Sequence, residues 1–313
     1  MKDFTSLRII FMGTPEFAVA SLAVLHRAGC QIIAVITAPD KPGGRGMKLQ
    51  ESAVKKYAIA HQLPILQPEK LKNPEFLAEL KSLEADLQIV VAFRMLPEVV
   101  WNMPPMGTVN LHGSLLPAYR GAAPINWAII NGEKETGVTT FQLKHAIDTG
   151  DILLQESFPI YENDTAGDVH DKMKEIGAEV LLKTIKGLAN DSLQPLPQSS
   201  HTDAINVHAP KIHTEDCAID WQQPVEKIYN KIRGLSPHPG AFTNLDGKKL
   251  KIFFAEKEKA TSTIPCGEFI SDGKSYLKFA AKDGFILIND LQLAGKKRMK
   301  IAEFLRGFRN LNN

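Results

Sequence analysis

The chain has 313 residues, 44% hydrophobic and 23% charged, with a formal net charge of +2. That length is generous for one core and points to two domains, and no stretch reaches the ~18 uninterrupted apolar residues of a membrane span. Its three cysteines, Cys30, Cys217 and Cys266, are far apart and form no Cys-x-x-Cys pair. They exclude a disulfide framework and a zinc knuckle, and they fit a reducing cytosol.

The N-terminal run Leu7–Leu25 is apolar, but Pro15 and Glu16 interrupt it, so it reads as strand, turn and helix rather than a signal peptide. Leu7–Met12 is a short apolar strand closed by Gly13. A helix follows from Pro15 to Ala28, then a β-branched strand from Gln31 to Thr37. Strand, helix and strand in about 30 residues make a βαβ unit and therefore a parallel sheet. Ser52–Gln62 reads as a helix. Asn73–Leu83 reads as another, with Asn73 as cap and Pro74 at the first position. Asp86–Phe93 reads as a central strand, and Gly107–Leu111 as a strand that runs into a polar turn. Pro124–Asn131 follows as a helix. Thr136–Leu143 and Ile152–Ile160 read as paired strands, and Ala166–Leu188 as a long amphipathic helix.

From Asn190 to Pro210 the composition is that of a linker. Beyond it a helix, Val225–Leu235, precedes short strands broken by Gly and Asp: Ala241–Leu245, Lys249–Ala255, Gly267–Ile270, Tyr276–Ala280 and Phe285–Leu293. That pattern predicts a small β-barrel. Charge divides along the same line. From Ile205 onward there are 18 Lys+Arg against 12 Asp+Glu, a net of +6, and the rest, 19 against 23, is −4.

Four motifs bear on chemistry. Met12-Gly13-Thr14-Pro15-Glu16 lacks the glycine spacing of a dinucleotide loop and the Gly-Lys-Ser/Thr of an ATP loop, so it reads as a tight turn. Asp40–Leu49 is a Gly-rich basic loop whose Lys41, Arg45 and Lys48 suit a phosphate partner, though a solvated surface loop would look the same. In Asn110-Leu111-His112-Gly113-Ser114-Leu115-Leu116-Pro117, Asn110 and His112 alternate along a strand and so share a face. They stand at the strand's C-terminal end, where open α/β sheets bind ligands. A carboxamide N–H beside an imidazole suits acyl transfer, and a strand-end pair that merely satisfies turn backbone is the plainer alternative. Asp148, in Asp148-Thr149-Gly150-Asp151, is a carboxylate that would orient the imidazole if the fold brought it close.

These runs, with Tyr119-Arg120-Gly121-Ala122-Ala123-Pro124 and Arg233-Gly234-Leu235-Ser236-Pro237, span most of the chain and resemble the folate-dependent formyltransferases. The Gly44-Arg45-Gly46 loop and the Arg233–Pro237 segment are similar to those of the tRNA-directed member. The resemblance implies a Rossmann-like α/β N-terminal domain with a parallel-rich sheet over residues 1–189, a linker at 190–209 and a C-terminal barrel similar to an OB-fold at 210–313. It implies Asn110, His112 and Asp148 as the catalytic residues and Ser114, Leu115, Leu116 and Pro117 as folate-binding, with Phe93, Met95 and Leu96 completing the pterin pocket. The co-substrate it implies is 10-formyltetrahydrofolate and the acceptor initiator methionyl-tRNA, for a cytoplasmic, monomeric enzyme without metal. A sugar-nucleotide acceptor or formyl-folate hydrolysis is the alternative within the family. Two departures stand out: Arg94 and Met95 occupy a loop that usually carries small residues, and Ala118 a position that is often basic. Lys41, Arg45 and Lys48, with Lys248, Lys249, Lys296, Lys297 and Arg298 in the basic C-terminal third, are the expected tRNA contacts.

Overall fold

The computed structural model describes residues 3–43, 48–200, 207–262 and 264–307. In chain order the elements are β1 (Arg8–Gly13), α1 (Glu16–Arg27), β2 (Gln31–Ile36), β3 (Lys41–Gly43), β4 (Lys48–Gln50), α2 (Ala53–Ala60), β5 (Ile65–Leu66), α3 (Pro74–Ser82), β6 (Leu87–Val91), α4 (Glu98–Trp101) and β7 (Thr108–His112). They continue with β8 (Arg120–Gly121), α5 (Pro124–Ile130), β9 (Glu135–Gln142), β10 (Ile152–Pro159), α6 (Ala166–Ala189), β11 (His208–Ala209), α7 (Val225–Gly234), β12 (Ala241–Leu245), β13 (Lys248–Lys259), β14 (Phe269–Ser271), β15 (Leu277–Ala281), β16 (Gly284–Leu293), β17 (Met299–Lys300) and α8 (Ile301–Gly307).

Two compact units result, each drawn from several stretches of the chain. The first comprises Met1–Arg120, Gly137–Phe158 and His170–His208, and the second Gly121–Thr136, Pro159–Val169 and Ala209–Asn313.

The first unit is built on a seven-stranded sheet of order β10-β9-β7-β6-β1-β2-β5. The β1–β2, β1–β6, β2–β5 and β6–β7 pairs are parallel, and β7–β9 is antiparallel. Strand β6 is buried along its whole length, and β1 at all but its first residue, as expected of strands covered on both faces. Gly13 ends β1 for a steric reason. A Cβ there would lie 2.7 Å from the Cβ of Ala18 and 3.0 Å from the Val91 carbonyl, so the glycine serves close strand–helix packing. Ser52 and Asn73 cap α2 and α3 by accepting from the amides of Lys55 and Glu75.

Two segments differ from expectation. The basic loop is the base of a hairpin: β3 and β4 pair antiparallel, Pro42 opposite Leu49. A two-stranded ribbon is all edge, so it tolerates a proline that a central strand would not. Arg45 lies outside the described residues. The Pro-rich stretch after α6 is held to the first unit by backbone. Leu196 exchanges hydrogen bonds with Ile152, each 2.8 Å, and Gln198–Ser200 forms a turn of 3-10 helix.

The second unit centres on an antiparallel sheet of order β12-β13-β16-β15-β14, with β17 added to β16, a half-barrel consistent with the small OB-like barrel expected from the short strands. Val225, Ile228, Tyr229 and Ile232 recur at helical spacing on α7 and are all buried in its core, with Leu250, Ile252, Phe279 and Leu291. Each such side chain, fully buried, contributes about 1.5–3 kcal/mol. Trp221 stacks on Phe279 at 4.8 Å and donates its indole N–H to Thr243. Helix α8 is too short to show a period in the sequence, yet its Phe304 and Leu305 enter this core.

Candidate active site

Strand β7 lies between β6, where Val90 faces Asn110, and β9, where Phe141 faces Asn110 and Thr139 faces His112. This places Asn110 and His112 on one face at the C-terminal end of a parallel strand. Asn110 is half-buried, and its carboxamide makes no side-chain hydrogen bond among the described residues. His112 is buried, 8% exposed, with Nε2 2.9 Å from the Tyr119 carbonyl oxygen. A carbonyl only accepts, so Nε2 carries a proton. The other ring nitrogen, Nδ1, faces Asp148 with 3.9 Å to Oδ2, room for an ion pair or for a proton passed through a solvent molecule rather than a direct hydrogen bond. The three residues picked out from the sequence are therefore brought together.

Asp148 is held by residues that sequence reasoning missed. Its backbone carbonyl accepts from Arg120 Nε at 3.1 Å and from Gln198 Nε2 at 2.8 Å. The same Gln198 amide also donates to the Gly150 carbonyl at 2.8 Å, while its Oε1 accepts from Arg120 Nε at 3.0 Å and from Nη2. Gln198 is 5% exposed. Nothing in a proline-rich stretch announces it. Arg120 carries one available signal, a cation close in sequence to the candidate histidine. Gly150 is obligatory, because a Cβ there would stand 1.5 Å from the Gln142 carbonyl oxygen.

The turn after His112 is braced from inside. Ser114 is buried and donates its hydroxyl to the Ala118 carbonyl at 2.7 Å. Leu116 is buried beside Phe141 and Ile152, and its amide donates to Thr139 Oγ1 at 3.0 Å. Leu115 and Pro117 are half-buried. The loop after β6 leaves Met95 74% exposed, with Phe93 and Leu96 half-buried. Arg94 keeps its guanidinium over the Phe93 ring, 5.6 Å from the centroid. It donates to the Glu69 carbonyl at 2.8 Å and to that of Pro68, which fastens the loop. At the base of the β3–β4 hairpin, Asp40 accepts from Lys55 and from Gln67, and these hydrogen bonds, Lys55's first, hold its carboxyl below the usual range. Lys41 is exposed there.

In the second unit, Lys248, Lys249, Lys296 and Lys297 are all exposed. Strand register unites the two pairs: Leu250 faces Leu293, and the Ala294 amide donates to the Lys249 carbonyl at 2.8 Å. Lys249 lies over the Phe242 ring at 4.1 Å. Arg298 is differently placed from its expected role as an open phosphate partner. Its fork is bidentate on Asp290, at 2.8 and 3.0 Å, and its guanidinium covers Phe253. Lys300 donates to the same carboxylate at 3.1 Å. Burial alone would push Asp290 up, but the bonds from Arg298 and Lys300 outweigh it and hold the carboxyl below its ordinary value.

A Rossmann-like sheet with a carboxamide, an imidazole and a carboxylate at one strand end, joined in sequence to an antiparallel half-barrel, defines a class. The profile of the formyl transferase family matches residues 7–185 and that of the formyl transferase C-terminal domain residues 211–309. The chain belongs to this family and is a formyl-transferring enzyme. Among relatives, it is 56% identical to a methionyl-tRNA formyltransferase of Parabacteroides distasonis, over 97% of both chains. Among solved structures it resembles WlaRD, a sugar 3N-formyl transferase crystallised in the presence of dTDP and 5-N-formyl-THF. There the TM-score is 0.64 at 23% identity, over 93% of this chain and 99% of that one. It also resembles HypX from Aquifex aeolicus in complex with tetrahydrofolic acid, with TM-score 0.65 at 20% identity, over 96% of this chain but only 47% of that one. At such identities these two structures speak for the fold.

Proposed function

We propose that the protein transfers the formyl group of 10-formyltetrahydrofolate to the α-amine of methionine on initiator methionyl-tRNA. The observation that carries the chemistry is the convergence of Asn110, His112 and Asp148 at the end of β7. The methionyl-tRNA formyltransferase name of the 56%-identical relative supports this acceptor over a sugar nucleotide. Membership of the formyl transferase family supports a formyl-folate donor.

In this reading the neutral amine attacks the formyl carbon, a C–N bond forms and the carbonyl oxygen becomes an oxyanion. Asn110 donates its amide N–H to that oxygen. Collapse breaks the bond from the formyl carbon to N10 of the folate, and the proton lost by the amine is delivered to N10. Because Tyr119 occupies Nε2–H, Nδ1 is the ring position that takes and returns that proton, on the side facing Asp148. A second N–H for the oxyanion comes from His112 only when the ring is doubly protonated. We assign Phe93, Met95 and Leu96, with the Ser114–Pro117 turn, to the folate side. Ser114 and Leu116 serve that turn from within, since their side chains are buried in it.

Catalysis and donor binding are assigned to residues 1–189 and tRNA contact chiefly to 210–313, with 190–209 between them. Lys248, Lys249, Lys296 and Lys297 form the phosphate-binding corner, and Lys41, Arg45 and Lys48 of the basic sequence run 40–49 are assigned further phosphates. Among the described residues no helix is long and apolar enough to cross a membrane. A monomer at work in the cytoplasm completes the proposal. The deciding assay offers labelled formyl-folate together with charged initiator tRNA, free methionine, an amino-sugar nucleotide or water. Label on the methionyl-tRNA α-amine at rates far above the others is expected. Faster label on the sugar, or release as formate, would replace the acceptor.

A further inference from the structure

Two residues of the site sit in left-handed backbone, Tyr119 at φ 59° and Asp148 at φ 54°. For non-glycine residues this conformation costs on the order of 1–3 kcal/mol and persists only where the surroundings over-determine it. Here both carbonyls are spoken for. That of Tyr119 accepts from His112 Nε2, and that of Asp148 accepts from Arg120 and Gln198. Tyr119 and Arg120 are neighbours in the chain. One short segment thus fixes the imidazole through a backbone oxygen and the carboxylate's backbone through a side chain.

We infer that Gln198 and Arg120 are positioning residues for formyl transfer, a clamp that sets the distance between Asp148 and His112. The geometry of Gln198 is specific to that task. Its Nε2 bridges the carbonyls of Asp148 and Gly150, both at 2.8 Å, and so pins either end of the Asp148-Thr149-Gly150 turn. Its Oε1 takes the Arg120 fork, which keeps the amide from turning over, because a turned amide would present an oxygen to two carbonyls. Gln198 itself is held by the backbone pairing of Leu196 with Ile152 two residues earlier. Neither residue is placed to touch substrate on these contacts; both act through Asp148. Misplacement of a reacting group by about 1 Å costs on the order of 100-fold in rate, so partial loosening of this clamp is worth about 10-fold.

The inference rests on the formyl-transfer reading, and its test separates the two. Gln198→Met keeps length and removes every hydrogen bond. Gln198→Glu keeps shape but aims a carboxylate at two carbonyls. We expect kcat to fall about 10-fold in Gln198→Met and further in Gln198→Glu, with KM for the formyl donor and for tRNA within about twofold. A side chain that merely fills space would leave both isosteric variants near wild type. A clamp acting through Asp148 also predicts non-additivity: in an Asp148→Asn background, Gln198→Met should lower kcat by less than about twofold more. A full, independent 10-fold loss there would overturn the inference. Should Gln198→Met fail to fold, Arg120→Lys carries the same cycle, since a lysine reaches one of the two oxygens but not both. Independently of any acceptor, Gln198→Met should shift the ring-nitrogen NMR resonances of His112. Unmoved resonances would sink the clamp even if formylation of methionyl-tRNA is confirmed.

Discussion

The end of β7 and the joined ends of β13 and β16 are both polar sites, and they are built in opposite ways. At β7, His112, Ser114 and Gln198 are buried and committed to partners, so what the site offers is geometry. At β13 and β16 four lysines stand in solvent, so what the site offers is charge. Displacement should ruin the first and leave the second nearly unharmed, whereas salt should do the reverse. A group that acts by position has a steep distance dependence, while a group that acts by field is screened within about 8–10 Å at ordinary ionic strength.

The largest test of that contrast falls on the first region. Asn110→Ala, His112→Ala and Asp148→Ala should each lower kcat by about 100- to 1000-fold with little change in unfolding midpoint. Rate measurements at saturating substrates would show it, and wild-type turnover in a folded Asn110→Ala protein would break the assignment. Next comes charge reversal of Lys248, Lys249, Lys296 and Lys297 to Glu. It should raise the KM for tRNA by on the order of 10- to 100-fold and flatten its dependence on salt, by about 0.9 in log–log slope for each phosphate that is no longer neutralised. The KM for folate should stay put. A salt-independent tRNA affinity in the unmutated protein would contradict the idea of a charge-built corner. Smaller again is Arg45→Ala, expected to raise the tRNA KM about 10-fold, as loss of one charge-assisted hydrogen bond would, without touching donor binding.

The smallest effect sharpens the boundary between the two designs. Asp290→Asn should destabilise the half-barrel by about 1–2 kcal/mol at neutral pH, because its bonds to Arg298 and Lys300 weaken. The sign with pH follows from its depressed carboxyl. The wild-type advantage is fully present above the ordinary carboxylate value of 3.8 and vanishes as pH falls through the lower folded value. Thermal melts of both proteins at neutral and strongly acidic pH would check this. Because Arg298 would be released, tRNA affinity should hold or rise, and a fall would mean that Asp290 organises the corner rather than quenching one of its cations.

Much of this is legible in the sequence where one physical cause dominates. The apolar runs of β1 and β6, the caps Ser52 and Asn73, and the two-residue alternation of Asn110 and His112 are local signals, and each stands where its pattern puts it. What is not legible depends on contacts between distant residues. Gln198 looks like any residue of a proline-rich stretch until Asp148 and Gly150, some fifty positions earlier, are placed beside it. Arg298 looks like a member of a basic run until Asp290 meets it. The β3–β4 hairpin reads as a loop because Pro42 and its neighbouring glycines mask three-residue strands. Arg94 finds its partners in the carbonyls of Pro68 and Glu69, some twenty-five positions earlier, and in the Phe93 ring.

The register of β13 against β16 has one more consequence. The Lys248–Lys249 pair and the Lys296–Lys297 pair meet only because Leu250 lies opposite Leu293. A slip of one residue would turn the side chains to the other face of the ribbon. The charge pattern proposed to recruit RNA therefore depends on the pairing of β13 with β16. Newly made chains in which these strands have not yet paired carry the same lysines, scattered, and should recruit RNA poorly.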